Sequence, residues 1–257
     1  MKKKYFFFDI DGTLTDKSTG VLVESAANTI RRLLENGHFV SIATGRAYYK
    51  TKDFAKKSGI PHLVSNGGAG IAINGELVEN APLDLDKAIA LCNEAQEKGY
   101  GVLVAIDDSI DVTMIDDNFI HQVGYRQEPT RYFLNSSLKY EDLSHIYKIY
   151  IAISKEEERN LTLLDSLGHL RFVNEYLTYQ HDKKDKGIER MIELVGGNLE
   201  DVVVFGDDYN DIIMFDERWT SIAMGNACDE LKEIADFVTK SNVDDGIEYA
   251  CQYFHWI

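Results

Sequence analysis

Tyr5-Phe6-Phe7-Phe8-Asp9-Ile10-Asp11-Gly12-Thr13 sets four consecutive aromatic residues directly against a polar, glycine-containing turn. A short apolar run of this kind reads as a strand buried on both faces, with the carboxylates at its carboxyl end. Downstream, Ala26, Ile30, Leu33 and Leu34 recur at helical spacing and Gly37 supplies a stop. Phe39-Val40-Ser41-Ile42-Ala43 reads as a second strand ending at Thr44-Gly45-Arg46, and a lysine-rich helix follows to Gly59. His62-Leu63-Val64-Ser65 then leads into Asn66-Gly67-Gly68. Strand, helix, strand, helix, strand predicts a parallel sheet with covering helices.

The last third has the same character. Ile188, Met191, Ile192 and Val195 mark one helix face, closed by Gly196-Gly197. Val202-Val203-Val204-Phe205 is an apolar strand running into Gly206-Asp207-Asp208. Thr220 to Met224 reads as a further strand, and Ile247, Ala250, Cys251 and Phe254 mark a final helix. The middle is different: a helix around 84–98, β-prone runs at 101–106, 110–115 and 147–153, a charged helix near 155–165, and runs at 169–173 and 176–180. Adjacent strands with few helices predict an α+β unit. The expected fold class is therefore α/β: a doubly wound, Rossmann-like parallel-sheet core, 1–81 plus 183–257, with a smaller α+β domain, 82–182, inserted at an exposed loop.

The chain has 257 residues, 44% of them hydrophobic, enough for a substantial core. Its formal net charge of −16 lacks the concentrated Lys and Arg that nucleic acid binding requires, and it reads as ordinary solubility. A phosphate ligand would then need positive charge focused locally. Lys2-Lys3-Lys4 ahead of the aromatic run imitates a signal peptide, but Asp9 and Asp11 cut the apolar stretch and no small-residue cleavage site follows. No run approaches the roughly 20 apolar residues of a membrane span. Cys92, Cys228 and Cys251 are sparse and lack paired spacing, as expected of a cytoplasmic protein, with Cys92 and Cys251 buried as small apolar residues.

Ligands of an open α/β sheet bind outside the carboxyl ends of the strands. Three predicted strand ends carry polar turns, and gathering Asp9, Asp11 and Asp207 there creates a conflict. Two like charges about 4 Å apart repel by about 4 kcal/mol at an effective dielectric near 20. A lone Asp in such a turn is adequately explained as a cap. Carboxylates after several buried strands call either for protonation of some of them or for a cation, and oxygen ligands without neighbouring Cys or His select magnesium over zinc. Gly12 allows close backbone approach to a phosphoryl group, with turn N–H groups as an anion nest. Thr44 offers a hydroxyl, and Lys186 a point charge at a predicted helix start.

Asp9-Ile10-Asp11-Gly12-Thr13-Leu14 resembles the first motif, DxDGT, of the haloacid dehalogenase superfamily. Thr44-Gly45-Arg46 resembles its second motif, Lys186-Gly187 its third, and Gly206-Asp207-Asp208-Tyr209-Asn210-Asp211 its fourth, GDxxND. Asn66-Gly67, Met224-Gly225-Asn226-Ala227 and Asp245-Gly246 are lesser matches. Order and spacing agree along the whole chain. The insertion between the second and third motifs is similar to a C2 cap, and the motif forms to the Cof-type subfamily.

The resemblance implies a magnesium-dependent phosphatase of small phosphorylated metabolites, such as sugar phosphates, pyridoxal phosphate or flavin mononucleotide. It implies Asp9 as the nucleophile that becomes an aspartyl-phosphate and Asp11 as general acid and base. Metal ligands would be the Asp9 side chain, the Asp11 carbonyl and Asp207. Ile10, Gly12, Thr44, Gly45, Arg46, Lys186 and Asn210 would surround phosphate and substrate, with Asp208 and Asp211 behind them. Among Lys183, Lys184 and Lys186, the last is chosen because Gly187 follows it and the helix marked by Ile188 begins there. Arg46 stands open between substrate and a salt bridge, and Asp208 between support of the metal site and a plain turn. A phosphomutase or phosphotransferase on the same core is the alternative, with a non-catalytic phosphate sensor behind it. A monomer or small homo-oligomer without nucleic acid or membrane partners is expected.

Overall fold

The structure, a computed structural model, describes residues 2–257; Met1, where the predicted core begins, lies outside the described residues. The chain divides into two compact units, one running to Asn80 and resuming over Lys183–Ile257, the other Ala81–Asp182. The first unit opens with β1 (Tyr5–Phe8), α1 (Glu24–Glu35), β2 (Phe39–Ala43), α2 (Tyr48–Ser58), β3 (His62–Ser65), β4 (Gly70–Ile73) and β5 (Glu76–Asn80). The second unit holds α3 (Leu85–Glu97), β6 (Val102–Ala105), β7 (Asp111–Met114), α4 (Asn118–Val123), β8 (Arg131–Leu134), β9 (Lys148–Ile151), β10 (His169–Leu170) and β11 (Leu177–Tyr179). The first unit then resumes with α5 (Lys184–Val195), β12 (Val202–Gly206), a 3-10 helix (Tyr209–Met214), β13 (Thr220–Ala223), α6 (Asp229–Ile234), β14 (Phe237–Val238) and α7 (Gly246–Tyr253).

The core sheet has the order β14-β13-β12-β1-β2-β3-β4-β5. It is parallel from β14 to β3, and β4 and β5 extend it antiparallel. The aromatic run sits at its centre because both faces are covered. Phe6 and Phe8 pack with Ile30 and Leu33 of α1 and Ile247 of α7, while Phe7 packs with Ile188, Met191 and Ile192 of α5. Full burial of such a side chain contributes about 1.5–3 kcal/mol. From β1 the chain progresses one way through β2 and β3 and, later, the other way through β12 and β13. This reversal is the switch point of a doubly wound sheet, and it falls where Asp9 leaves β1.

The second unit is a sheet of order β10-β11-β9-β6-β7-β8, antiparallel except for β7 against β8. Ala88, Leu91 and Cys92 of α3 pack with Val102, Val104, Ile149 and Ile151, and Phe119 of α4 packs with Leu103 and Tyr150. The charged helix predicted near 155–165 is absent; two single 3-10 turns, Glu158–Asn160 and Leu164–Ser166, stand there. Glu94 of α3 accepts hydrogen bonds from the N–H groups of Thr162 and Leu163, which satisfies donors that a helix would have used. Among the described residues no helix is long and apolar enough to cross a membrane.

Candidate active site

Asp9 stays in step with the sheet, its N–H donating to the Phe205 carbonyl of β12. Its carboxylate is buried, and both oxygens are engaged. Oδ2 accepts the Asp11 N–H at 3.0 Å, and Oδ1 accepts the Lys184 ammonium at 2.8 Å. The turn that follows is closed by the Ile10 carbonyl, which accepts the N–H groups of Leu14 and Thr15 and the Thr15 hydroxyl. The Ile10 side chain lies fully in the core, so that residue can meet a ligand only through its backbone.

Asp207 follows Gly206 at the end of β12 and comes over this turn, its Oδ1 accepting the Thr13 hydroxyl at 2.9 Å. Gly12 is left-handed (φ 87°), and a Cβ there would collide with the Asp207 carboxylate. Gly12→Ala therefore combines about 1–3 kcal/mol of backbone strain with displacement of Asp207. We expect a lower melting temperature and loss of cation-induced stabilisation, both read by thermal denaturation with and without magnesium.

Asp211, fully buried in the 3-10 helix, accepts the N–H groups of Asp207 (2.9 Å) and Asp208 (3.2 Å) at Oδ2. Its Oδ1 takes Lys184 at 2.6 Å. Lys184 thus bridges Asp9 and Asp211 with its side chain 2% exposed.

This corrects the sequence assignment of the site lysine to Lys186, whose exposed side chain pairs with Glu189 at 2.9 Å. α5 begins at Lys184 rather than at Lys186-Gly187, and Lys184, Gly187, Ile188, Met191 and Ile192 form one buried stripe. Gly187 makes the contact possible. Its backbone presses against Gly68 after β3, with no room for a side chain. Lys186 lies off that stripe.

The expected meeting of the carboxylates of residues 9, 11 and 207 is corrected as well. The group whose oxygens lie within 4.8 Å of one another is Asp9, Asp207 and Asp211. The Asp11 carboxylate is half exposed and gripped by Arg46, through Nε to Oδ2 at 2.9 Å and through Nη2 to Oδ1. Burial, and then the Asp211 charge, push the Asp9 carboxyl up to about 8 even with Lys184 opposing. Burial followed by Asp211 pushes Asp207 up to about 7. Burial works against the Lys184 charge, but Asp211 and Asp9 more than offset it and hold Lys184 above its ordinary value. Lys184, helped only by the exposed Lys17 at 3.8 Å from Asp207, does not balance three buried carboxylates. The donor set, all oxygen and negatively charged, fits a hard divalent cation.

Thr44, buried just beyond β2, donates its N–H to Val64 and accepts the Arg46 N–H at Oγ (3.1 Å). The carbonyls of Thr44 and Arg46 accept the N–H groups of Gly67 and Asn66, which ties the second-motif turn to the one after β3. Gly45 and Asn210 are both half-buried, Asn210 beside Asp211. Asp208 caps the 3-10 helix, accepting the Tyr209 N–H, and pairs at 2.6 Å with Lys17, which also lies 3.8 Å from Asp207. Lys17 and Asn242 carry no sequence signal, and Thr13 appears there only as part of the first motif. The Asn226 amide donates to the Gly12 carbonyl (2.8 Å) and that of Asn242 to the Thr15 carbonyl (2.7 Å), holding the first-motif turn from outside.

A family model described as haloacid dehalogenase-like hydrolase matches residues 6–251. A Bacillus subtilis (strain 168) protein named "Putative phosphatase YkrA" is 32% identical over 97% of both chains. Pyridoxal phosphate phosphatase YbhA of Escherichia coli (strain K12) is 27% identical over 96% of this chain and 97% of its own. The solved structure of the haloacid dehalogenase subclass IIB sugar phosphatase BT4131 superposes with a TM-score of 0.74 at 25% identity, over 99% of this chain and 100% of that one.

Proposed function

Because the chain belongs to the haloacid dehalogenase-like hydrolase family, we propose that it is a magnesium-dependent phosphatase of small phosphorylated metabolites that works through a phosphorylated Asp9. The observation that carries this reading is the buried Asp9 carboxylate, fixed by Lys184 and the Asp11 N–H beside Asp207 and Asp211.

An Asp9 oxygen attacks phosphorus, and the ester P–O bond breaks with its electron pair leaving on the alcohol oxygen. The Asp11 carboxyl group supplies the proton that this oxygen takes up. In the second half the Asp11 carboxylate removes a proton from water, whose oxygen attacks the aspartyl-phosphate. The bond from phosphorus to Asp9 breaks, and the carboxylate and inorganic phosphate are released. Lys184 offsets the charge of Asp9 so that a phosphate dianion can approach, and Thr44 offers its hydroxyl to a phosphate oxygen. The turn backbone at Ile10 and Gly12, together with Gly45 and Asn210, completes the phosphate surroundings.

A magnesium ion, held by Asp9, Asp207 and the Asp11 carbonyl, would neutralise phosphate charge and stabilise the transition state. Asp211 is committed to Lys184 and two backbone N–H groups, which makes it the support of this set. The reacting groups of the first unit act on the phosphoryl group and on the ester oxygen, which all such substrates share. We therefore assign the choice among substrates to the second unit, Ala81–Asp182. Relatives named for pyridoxal phosphate and sugar phosphate set the first candidates.

The test is phosphate release from p-nitrophenyl phosphate and from a panel of sugar phosphates, pyridoxal phosphate and flavin mononucleotide. Hydrolysis should fall at least about 100-fold in EDTA, since several kcal/mol of charge stabilisation is lost, and return with magnesium. No phosphate released from any substrate, or a rate indifferent to EDTA, refutes the proposal. An isomeric phosphate ester as the main product would make the enzyme a mutase.

A further inference from the structure

Arg46 is held at both ends. Its N–H donates to the Thr44 hydroxyl oxygen at 3.1 Å, and its carbonyl accepts the Asn66 N–H at 2.8 Å. Its guanidinium then meets the two oxygens of Asp11 as a fork, with Nε on Oδ2 at 2.9 Å and Nη2 on Oδ1. A fork on a carboxylate fixes the plane of that carboxylate, which a lysine ammonium cannot do. The two side chains are 38% and 50% exposed. A pair this exposed contributes at most about 1 kcal/mol to stability, so folding gives little reason for it. Its effect is on orientation. Asp11 is the one carboxylate of the first motif that is not locked by burial or by Lys184.

We propose that Arg46 is a positioning residue for Asp11, aiming its carboxyl group at the leaving oxygen of the substrate and then at water. The proposal rests on the phosphatase reading above and replaces direct substrate binding as the main role of Arg46. When the Asp11 O–H transfers its proton to the departing alkoxide, one of the two contacts opens to leave that oxygen free. The other holds the carboxyl plane.

The test compares two leaving groups. p-Nitrophenolate departs without help, whereas the alkoxide of the best-cleaved primary-alcohol phosphate in the panel needs the proton from Asp11. Arg46→Ala should lower kcat/KM for the alkyl phosphate on the order of 100-fold, the scale of general acid catalysis, and that for p-nitrophenyl phosphate by less than about tenfold. Arg46→Lys should remain impaired on the alkyl substrate, since it restores charge but not the fork. In an Asp11→Asn background Arg46→Ala should have no further effect.

An equal loss on both substrates, rescue by lysine, or a loss persisting without Asp11 makes Arg46 a phosphate ligand and overturns the proposal. No loss on either substrate overturns it as well. Circular dichroism and melting temperature check that each variant is folded. A wild type without hydrolysis, or an Asp9→Asn variant that keeps it, removes the phosphatase reading itself, and a defect confined to Arg46 variants does not.

Discussion

Asp9→Asn is expected to abolish phosphate release, with kcat for p-nitrophenyl phosphate lower on the order of 10^4-fold or more, as for other lost nucleophiles. An amide is close in shape to the carboxylate and its carbonyl can still accept from Lys184; its NH2 cannot accept the Asp11 N–H, but that is a single bond in a turn held by several others, so the fold should be retained. The stability change separates this variant from a damaged one. Burial raises the Asp9 carboxyl to about 8, so above the unfolded carboxylate value the ionised native form is disfavoured relative to the unfolded chain. A neutral amide removes that penalty. Without magnesium the variant should melt at or above the wild-type temperature near pH 7, and the magnesium-induced rise should shrink, because one charged ligand is gone. A variant that hydrolyses within tenfold of wild type would sink Asp9 as the nucleophile. One that melts well below wild type would show that its inactivity reflects unfolding.

What could be read from the sequence was what neighbouring residues encode. The Tyr5–Phe8 run states its own burial, and the turns after β1, β2 and β12 state their chemistry in a few letters. The β4–β5 hairpin is equally local: Asn74-Gly75 adopts positive φ at both positions (53° and 81°), the two-residue turn that this dipeptide favours. α4 and β8 gave weaker signals, and Asp116-Asp117 leads into α4, with Asp116 accepting the Asn118 N–H. Other features are not local at all. Glu94 unmakes the expected helix from more than sixty positions away, and Asn242 supports a turn 227 positions earlier. Nothing beside either residue announces its partner. The grip of Arg46 on Asp11 joins two motifs that sequence placed at the same sheet edge without saying that they touch.

The site lysine lies between these cases, and it carries the second large expected effect. Taking Lys186 followed the adjacent glycine, yet the stripe 184, 187, 188, 191, 192 was present in the sequence and puts Lys184 on the sheet-facing side. Lys184→Met removes the buried cation among three buried carboxylates, leaving only the exposed Lys17 beside Asp207, and breaking such a buried pair costs about 3–5 kcal/mol. Proton uptake by Asp9 or Asp207, both already raised, softens this toward the lower end. Activity should fall on the order of 10^3-fold even under conditions where the variant is folded, because Asp9 then faces an incoming dianion without its counter-charge. Lys186→Met breaks the bridge of an exposed lysine to Glu189 and a looser one to Asp185 at 3.9 Å, and should leave the melting temperature within a few degrees of wild type and activity within about twofold. Denaturant melts and p-nitrophenyl phosphate kinetics on the two variants decide between them. If the losses fall on Lys186 instead, the buried bridge from Asp9 through Lys184 to Asp211 is not what prepares the nucleophile. The electrostatic account of the site then fails with it, because no other described lysine or arginine bonds to Asp9.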